Sequence, residues 1–107
     1  MIPGFYVWET ASFNIVLSSP VLNEYKDVIV SICQPSSAEL HLSYLNGDLS
    51  IIDDSTIGVG LTQEQTGEFS PGAARLQVNV LFDSSERDVT SQAVINIQDN
   101  LYNKVMS

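Results

Sequence analysis

The sequence predicts an all-β chain folded as an antiparallel sandwich, and three observations lead there. Apolar residues alternate with polar ones along several short runs: Ile57, Val59 and Leu61; Ala74, Leu76, Val78, Val80 and Phe82; Ala93, Ile95 and Ile97. Successive side chains of a strand point to opposite faces, so such runs place their apolar members on one face and leave the other to water. Turn chemistry separates the runs, as at Asn46-Gly47, Asp53-Asp54-Ser55 and Ser70-Pro71-Gly72. Finally, about seven such runs fill the 107 residues, which is the size of one two-sheet sandwich domain.

In chain order, residues 1–10 read as an extended lead-in, with Phe5 to Glu9 forming the start of a broken first strand. Ala11 to Ser18 continues it, with Phe13, Ile15 and Leu17 facing one way, and Ser19-Pro20 ends it because Pro cannot donate to a ladder. Val21 to Tyr25 reads as a loop turn with weak helical character. Asp27 to Cys33 is the second strand, closed by Gln34-Pro35-Ser36-Ser37; Leu40, Leu42 and Tyr44 mark the third. Asn46-Gly47 then reads as a hairpin turn, since Gly accepts φ > 0 at little cost. Leu49 to Ile52 and Ile57 to Leu61 follow as the fourth and fifth strands. Thr62 can cap a short helical turn over residues 63–68, where Glu64 suits the helix dipole. That turn would carry the chain between sheets, with Phe69 plugging one end before Pro71-Gly72 starts the sixth strand. A loop then leads to the last strand, with Ala93, Ile95 and Ile97, which ends near Asn100, and residues 101–107 form a short tail. The whole is one domain, an immunoglobulin-like sandwich by strand number and size. The cysteine pair of that fold is missing, and so is the corner tyrosine, because Ala73, Ala74 and Leu76 occupy its region.

Composition excludes several functions. Hydrophobic residues make up 44% and charged ones 16%, and the longest apolar runs, such as Val28-Ile29-Val30, are far too short to span a bilayer as a helix. Thirteen acids face four bases, for a net charge of −9. Affinity for phosphate backbones rests on clustered Lys and Arg, so nucleic acid is not an expected partner, and anionic membrane surfaces are equally disfavoured. The opening residues, Met1-Ile2-Pro3-Gly4-Phe5, carry no Lys or Arg and do not read as a secretory signal. Synthesis in a cytoplasm without export is the expectation.

Catalytic groups are sparse. Cys33 is the single cysteine, which rules out an internal disulfide and a zinc site built from cysteines. His41 is the single histidine, flanked by Leu40 and Leu42, and reads as a structural strand residue. The serine pairs at 18–19, 36–37 and 84–85 lie in turns without a nucleophile elbow, and Gly58-Val59-Gly60 precedes no phosphate-loop lysine. No enzyme, cofactor or resident metal is expected. Asn46, Asp48, Asp53 and Asp54 could gather oxygen ligands for calcium at the ends of a hairpin, although the ordered spacing of a calcium loop is absent. Phe5, Tyr6 and Trp8 near one terminus, with Leu101 and Tyr102 near the other, are the candidate partner-interface residues, because aromatic clusters dominate interface energetics. The alternative for the aromatics is that Phe5 and Trp8 cover an end of the core.

The segments Leu61-Thr62-Gln63-Glu64-Gln65-Thr66, Phe69-Ser70-Pro71-Gly72 and Arg75-Leu76-Gln77-Val78-Asn79-Val80-Leu81, followed by Thr90 to Ile97, resemble a family of small structural proteins of tailed phages and prophages of Gram-positive gut bacteria. The resemblance implies a non-catalytic virion component of immunoglobulin-like fold. It would serve in the tail, baseplate or connector, or as a capsid accessory, with other virion proteins as partners and copies of itself as neighbours. A glycan-binding sandwich for host adhesion, assisted or not by calcium, is the alternative.

Overall fold

The computed structural model describes residues 4–18, 22, 25–35, 38–90 and 92–106. The early elements are β1 (Phe5–Tyr6), β2 (Ala11–Val16), β3 (Tyr25–Gln34), β4 (Ala38–Ser43), β5 (Leu49–Asp53) and β6 (Thr56–Leu61). A five-residue helix, α1 (Gln63–Gly67), comes next, followed by β7 (Gly72–Phe82), β8 (Arg87–Val89) and β9 (Ala93–Gln98). The expected ends at Ser19-Pro20, within Val21 to Tyr25 and at Ser36-Ser37 fall wholly or largely outside the described residues.

The long alternating run at Ala74 to Phe82 becomes the central strand β7. Its residues Ala74, Leu76, Val78 and Val80 are all buried on one face. One edge of β7 pairs antiparallel with β3, and the other pairs with β9 and β8. The larger sheet runs β1-β9-β7-β3-β4, with β8 also on β7, and the smaller runs β2-β6-β5. The sheets enclose one core, to which Val28, Val30, Ile32, Leu42, Ile57, Val59, Leu61, Ile95 and Ile97 contribute. This distribution of strands is the immunoglobulin-like order, in which the second, fifth and sixth strands form one sheet and the third, seventh and last the other.

The broken first strand forms as β1 and β2, and two other local expectations are corrected. The lead-in is part of the sandwich: β1 pairs parallel with β9, Phe5 opposite Ile97, and both Phe5 and Val7 are buried. Between β1 and β2 the chain changes sheets, and Trp8 sits there at φ 64°, a left-handed conformation uncommon for a bulky residue. Asn46-Gly47 does turn, with Gly47 at φ 82° and its N–H donating to the Tyr44 carbonyl. Yet the turn is not a hairpin, because β4 and β5 lie in different sheets. The loop expected before the last strand holds a short strand of its own, β8, which pairs with β7 as β9 does. Leu76 faces Ala93 and Asn79 faces Val89, so two residues of β7 lie opposite three of the other strand.

That extra residue is a β-bulge, and Thr90 repairs the ladder across it. The Thr90 N–H donates to the Val78 carbonyl at 3.0 Å, and Thr90 Oγ1 accepts the Val78 N–H at 3.0 Å. Gln77 adds its side-chain amide to the Thr90 carbonyl at 2.8 Å. Thr90→Val keeps the shape and removes the acceptor, leaving a buried strand amide unpaired. The expected loss is about 1–3 kcal/mol, read from the denaturant midpoint, with Thr90→Ser close to wild type.

The expected helical turn forms as α1. Thr62 Oγ1 accepts the Gln65 N–H at 3.2 Å and Gln65 Oε1 accepts the Thr62 N–H at 2.8 Å, a reciprocal capping box. Thr66 is fully buried and its hydroxyl donates to the Glu9 carbonyl at 2.7 Å, which ties α1 to the first crossing between sheets. Phe69 does plug the end, packing edge-on against Phe5 with ring centroids 5.6 Å apart.

Candidate functional site

The five interface candidates are not equivalent. Phe5 is a core residue, so it is not available to a partner. Trp8 is half-buried and lies so close over Gly67 that a Cβ there would run into its ring, so it covers the end of α1. Tyr6, Leu101 and Tyr102 are exposed. The tail turns back toward α1: the Gln63 side chain donates to the Met106 carbonyl at 2.9 Å and accepts the Met106 N–H at 2.7 Å. Asn100 also donates to the Val7 carbonyl at 3.0 Å, which holds the start of the tail near β1.

The acidic candidates for calcium are not brought together. Asp48 and Asp53 sit just before and at the end of β5, so extended chain holds them about 16 Å apart. Each carboxylate already serves backbone. Asp48 Oδ2 accepts the Ser43 N–H at 3.1 Å, and Asp53 Oδ1 accepts the Ser55 N–H at 2.9 Å. The bond from the Ser55 backbone, aided by Thr56, holds the Asp53 carboxyl below its ordinary range.

A surface that sequence reasoning missed is the outer face of the smaller sheet. Buried Ala11, Ile15, Leu49, Ile57, Val59 and Leu61 define its inner face, so Ser12, Asn14, Val16, Ser50, Ile52, Thr56, Gly58 and Gly60 point outward. None of the eight carries a charge, in a protein of net charge −9, and the one carboxylate on this face is Asp53, opposite Thr56 at its end. Gly58 and Gly60 pave its middle strand, where Ile52 Cδ1 leans to within 3.3 Å of where a Gly58 Cβ would be. Val16 and Ile52 are exposed on either side of it. The face is therefore neutral over its middle, with Asp53 opposite Thr56 at one end, and is bordered by the outer edges of β2 and β5, to which no described strand pairs. The signal was legible in the alternation, since the polar members of these runs are small and neutral.

His41 does face away from the core, as the alternation with Leu40 and Leu42 requires, but it has company there. In the β3–β4 ladder it lies opposite Ser31, and its neighbour Glu39 lies opposite Cys33. Ser31 Oγ meets His41 Nδ1 at 2.7 Å, and His41 Nε2 meets Glu39 Oε1 at 2.9 Å. Cys33 Sγ, a Glu39 carboxylate oxygen and a His41 ring nitrogen all lie within 4.8 Å of one another. Partial burial raises the Cys33 thiol pKa above its ordinary value, and the Glu39 charge adds to the rise. Among the described residues no helix is long and apolar enough to cross a membrane.

Scans against models of protein families and against characterised proteins find no match. Among solved structures the chain is similar to a protein described as a candidate glycoside hydrolase from Bacteroides vulgatus ATCC 8482, with a TM-score of 0.53 and 4% identity. That superposition covers 92% of this chain and only 17% of the other, so the likeness is to a small part of a much longer protein. Murine CRIg is also similar, at a TM-score of 0.40 and 9% identity, over 92% of this chain and 93% of that one. At these identities the likenesses concern fold, and the immunoglobulin-like sandwich stands on the strand order itself.

Proposed function

We propose that the chain is a non-catalytic structural module of a tailed-phage particle, assembled with copies of itself through the outer face of β2, β6 and β5. The neutral, glycine-paved middle of that face carries the reading. Two copies of a chain with net charge −9 repel each other over most of their surfaces. They approach at least cost through a face whose middle has no charge to desolvate and whose one carboxylate, Asp53, stands at its end, since interface centres are depleted in charged residues. The sequence resemblance to phage structural proteins supplies the setting.

Gly60 offers a clean probe. A Cβ there meets nothing within 4 Å, so Gly60→Lys is expected to fold while placing a cation in the middle of the face. Light scattering is expected to find a discrete oligomer for the wild type and a monomer for Gly60→Lys, with melting temperatures within a few degrees. Peptide mass spectrometry of density-purified particles, from cells carrying the coding sequence, is expected to find the chain in multiple copies and to lose it in the variant. Absence from particles would overturn the phage assignment, whereas an unaltered oligomer in Gly60→Lys would overturn only the choice of face.

A further inference from the structure

We propose that Cys33, Glu39 and His41 form a binding site for a zinc-class divalent cation on the outer face of the larger sheet. This site is separate from the proposed docking face, and its argument does not depend on the phage reading.

Three different donors converge here: a thiol sulfur, a carboxylate oxygen and an imidazole nitrogen, mutually within 4.8 Å. Zinc takes such N, O and S ligands at about 2.0–2.3 Å, so bound ligand atoms stand roughly 3.3–3.8 Å apart. Closing from the observed spacing needs only side-chain rotation. The Glu39 and His41 side chains are 71% and 52% exposed, so solvent leaves them room to adjust. Cys33 is held by β3, which is paired on both sides by β4 and β7. Register fixes the rest: Cys33 faces Glu39 across the ladder, and His41 lies two residues along β4 on the same face.

Ser31 adds the feature that a chance cluster lacks. Ligating imidazoles usually give their other ring N–H to an oxygen, which sets tautomer and ring direction. Ser31 Oγ stands 2.7 Å from His41 Nδ1 and fills that place, leaving Nε2 directed at Glu39 Oε1, 2.9 Å away, where the cation would sit. On binding, the Cys33 thiol proton leaves to solvent and sulfur coordinates as thiolate. As a ligand the imidazole is neutral, with Nε2 offering its lone pair to the cation and Nδ1–H donating to the Ser31 hydroxyl. One thiolate and one carboxylate balance the charge of the dication. Water completes the fourth position, as in open three-ligand zinc sites. Arg75, opposite Cys33 on β7, directs a guanidinium N–H to Gln92 Oε1 at 3.2 Å.

The experiment is titration of the reduced protein with Co²⁺, followed by displacement with Zn²⁺. Thiolate coordination is expected to give a ligand-to-metal charge-transfer band that Zn²⁺ abolishes. Cys33→Ser is expected to remove the band entirely. His41→Gln should weaken binding at least tenfold, and Ser31→Ala roughly tenfold, in the range of outer-shell effects on metal sites. Circular dichroism of each variant checks folding, which these exposed and half-exposed positions should preserve. Absence of the band in the wild type overturns the site, as does a band that persists unchanged in His41→Gln, which would mean a bare thiolate. Cations held by surface carboxylates alone give no such band, so the acidic surface cannot imitate the result.

Discussion

Phe5→Ala is expected to lower stability by about 3–5 kcal/mol, and deletion of residues 1–9 is expected to abolish the cooperative thermal transition. The aromatic ring of Phe5 is 3% exposed and packs edge-on against Phe69, which closes the same end of the sandwich. Its removal leaves a cavity that the paired strands around it cannot collapse into. Deletion takes away far more: buried Val7, the β1–β9 pairing, the Trp8 ring over Gly67 and the Glu9 carbonyl that accepts the buried Thr66 hydroxyl. A domain of this size has only about 5–15 kcal/mol in total. The point variant should lower the melting temperature by roughly 12–25 °C. A truncated chain that melted like the wild type would put residues 5–9 outside the fold and restore them as free interface residues.

What the sequence conveys about this end of the molecule is instructive. Phe5, Tyr6 and Trp8 read either as a partner surface or as a cover for the end of the core, because the strand pattern breaks between them and Ala11. The periodicity is hidden by the crossing itself: β1 belongs to one sheet and β2 to the other, and Trp8 takes φ 64° between them. Alternation made β6, β7 and the core face of β3 legible, since period-2 burial is a property of each strand alone. Which sheet a strand joins is not, and Asn46-Gly47 illustrates it: the same turn chemistry serves a hairpin or, as here, a passage from β4 to β5 across the core. The histidine cluster stood one step beyond reach. Had the β3–β4 pairing been fixed around Pro35, register alone would have set Cys33 opposite Glu39 and Ser31 opposite His41.

Gln34→Leu is the second substitution with a large expected effect, about 2–4 kcal/mol. Gln34 ends β3, is 8% exposed, and reaches a loop 36 residues away. Its amide donates to the Ser70 carbonyl at 2.7 Å and accepts the Ser70 N–H at 2.8 Å, with a longer contact at 3.5 Å to the Ala73 carbonyl. A glutamine amide carries the same donor and acceptor as a peptide, so it can complete a backbone pair where no strand is available. Gln63 does so for Met106. At Gln34 the device anchors the passage from α1 into β7, a task that the missing corner tyrosine leaves open. Leucine matches the size but removes both bonds, and each part-buried backbone group that loses its partner costs about 1–3 kcal/mol. Gln34→Glu separates bonding from packing. An ionised carboxylate can still accept the Ser70 N–H but must face its carbonyl, whereas the protonated acid can donate to it. The folded state therefore favours the protonated form and raises that pKa above the unfolded value, which is about 4.3 for glutamate. By linkage the stability of this variant is greatest below that value and is lost as the pH rises through the folded pKa. Melting Gln34→Glu against wild type at matched pH should show the deficit widening from about pH 4 toward neutrality. A deficit independent of pH, or a Gln34→Leu protein as stable as wild type, would mean that the amide does not hold this loop.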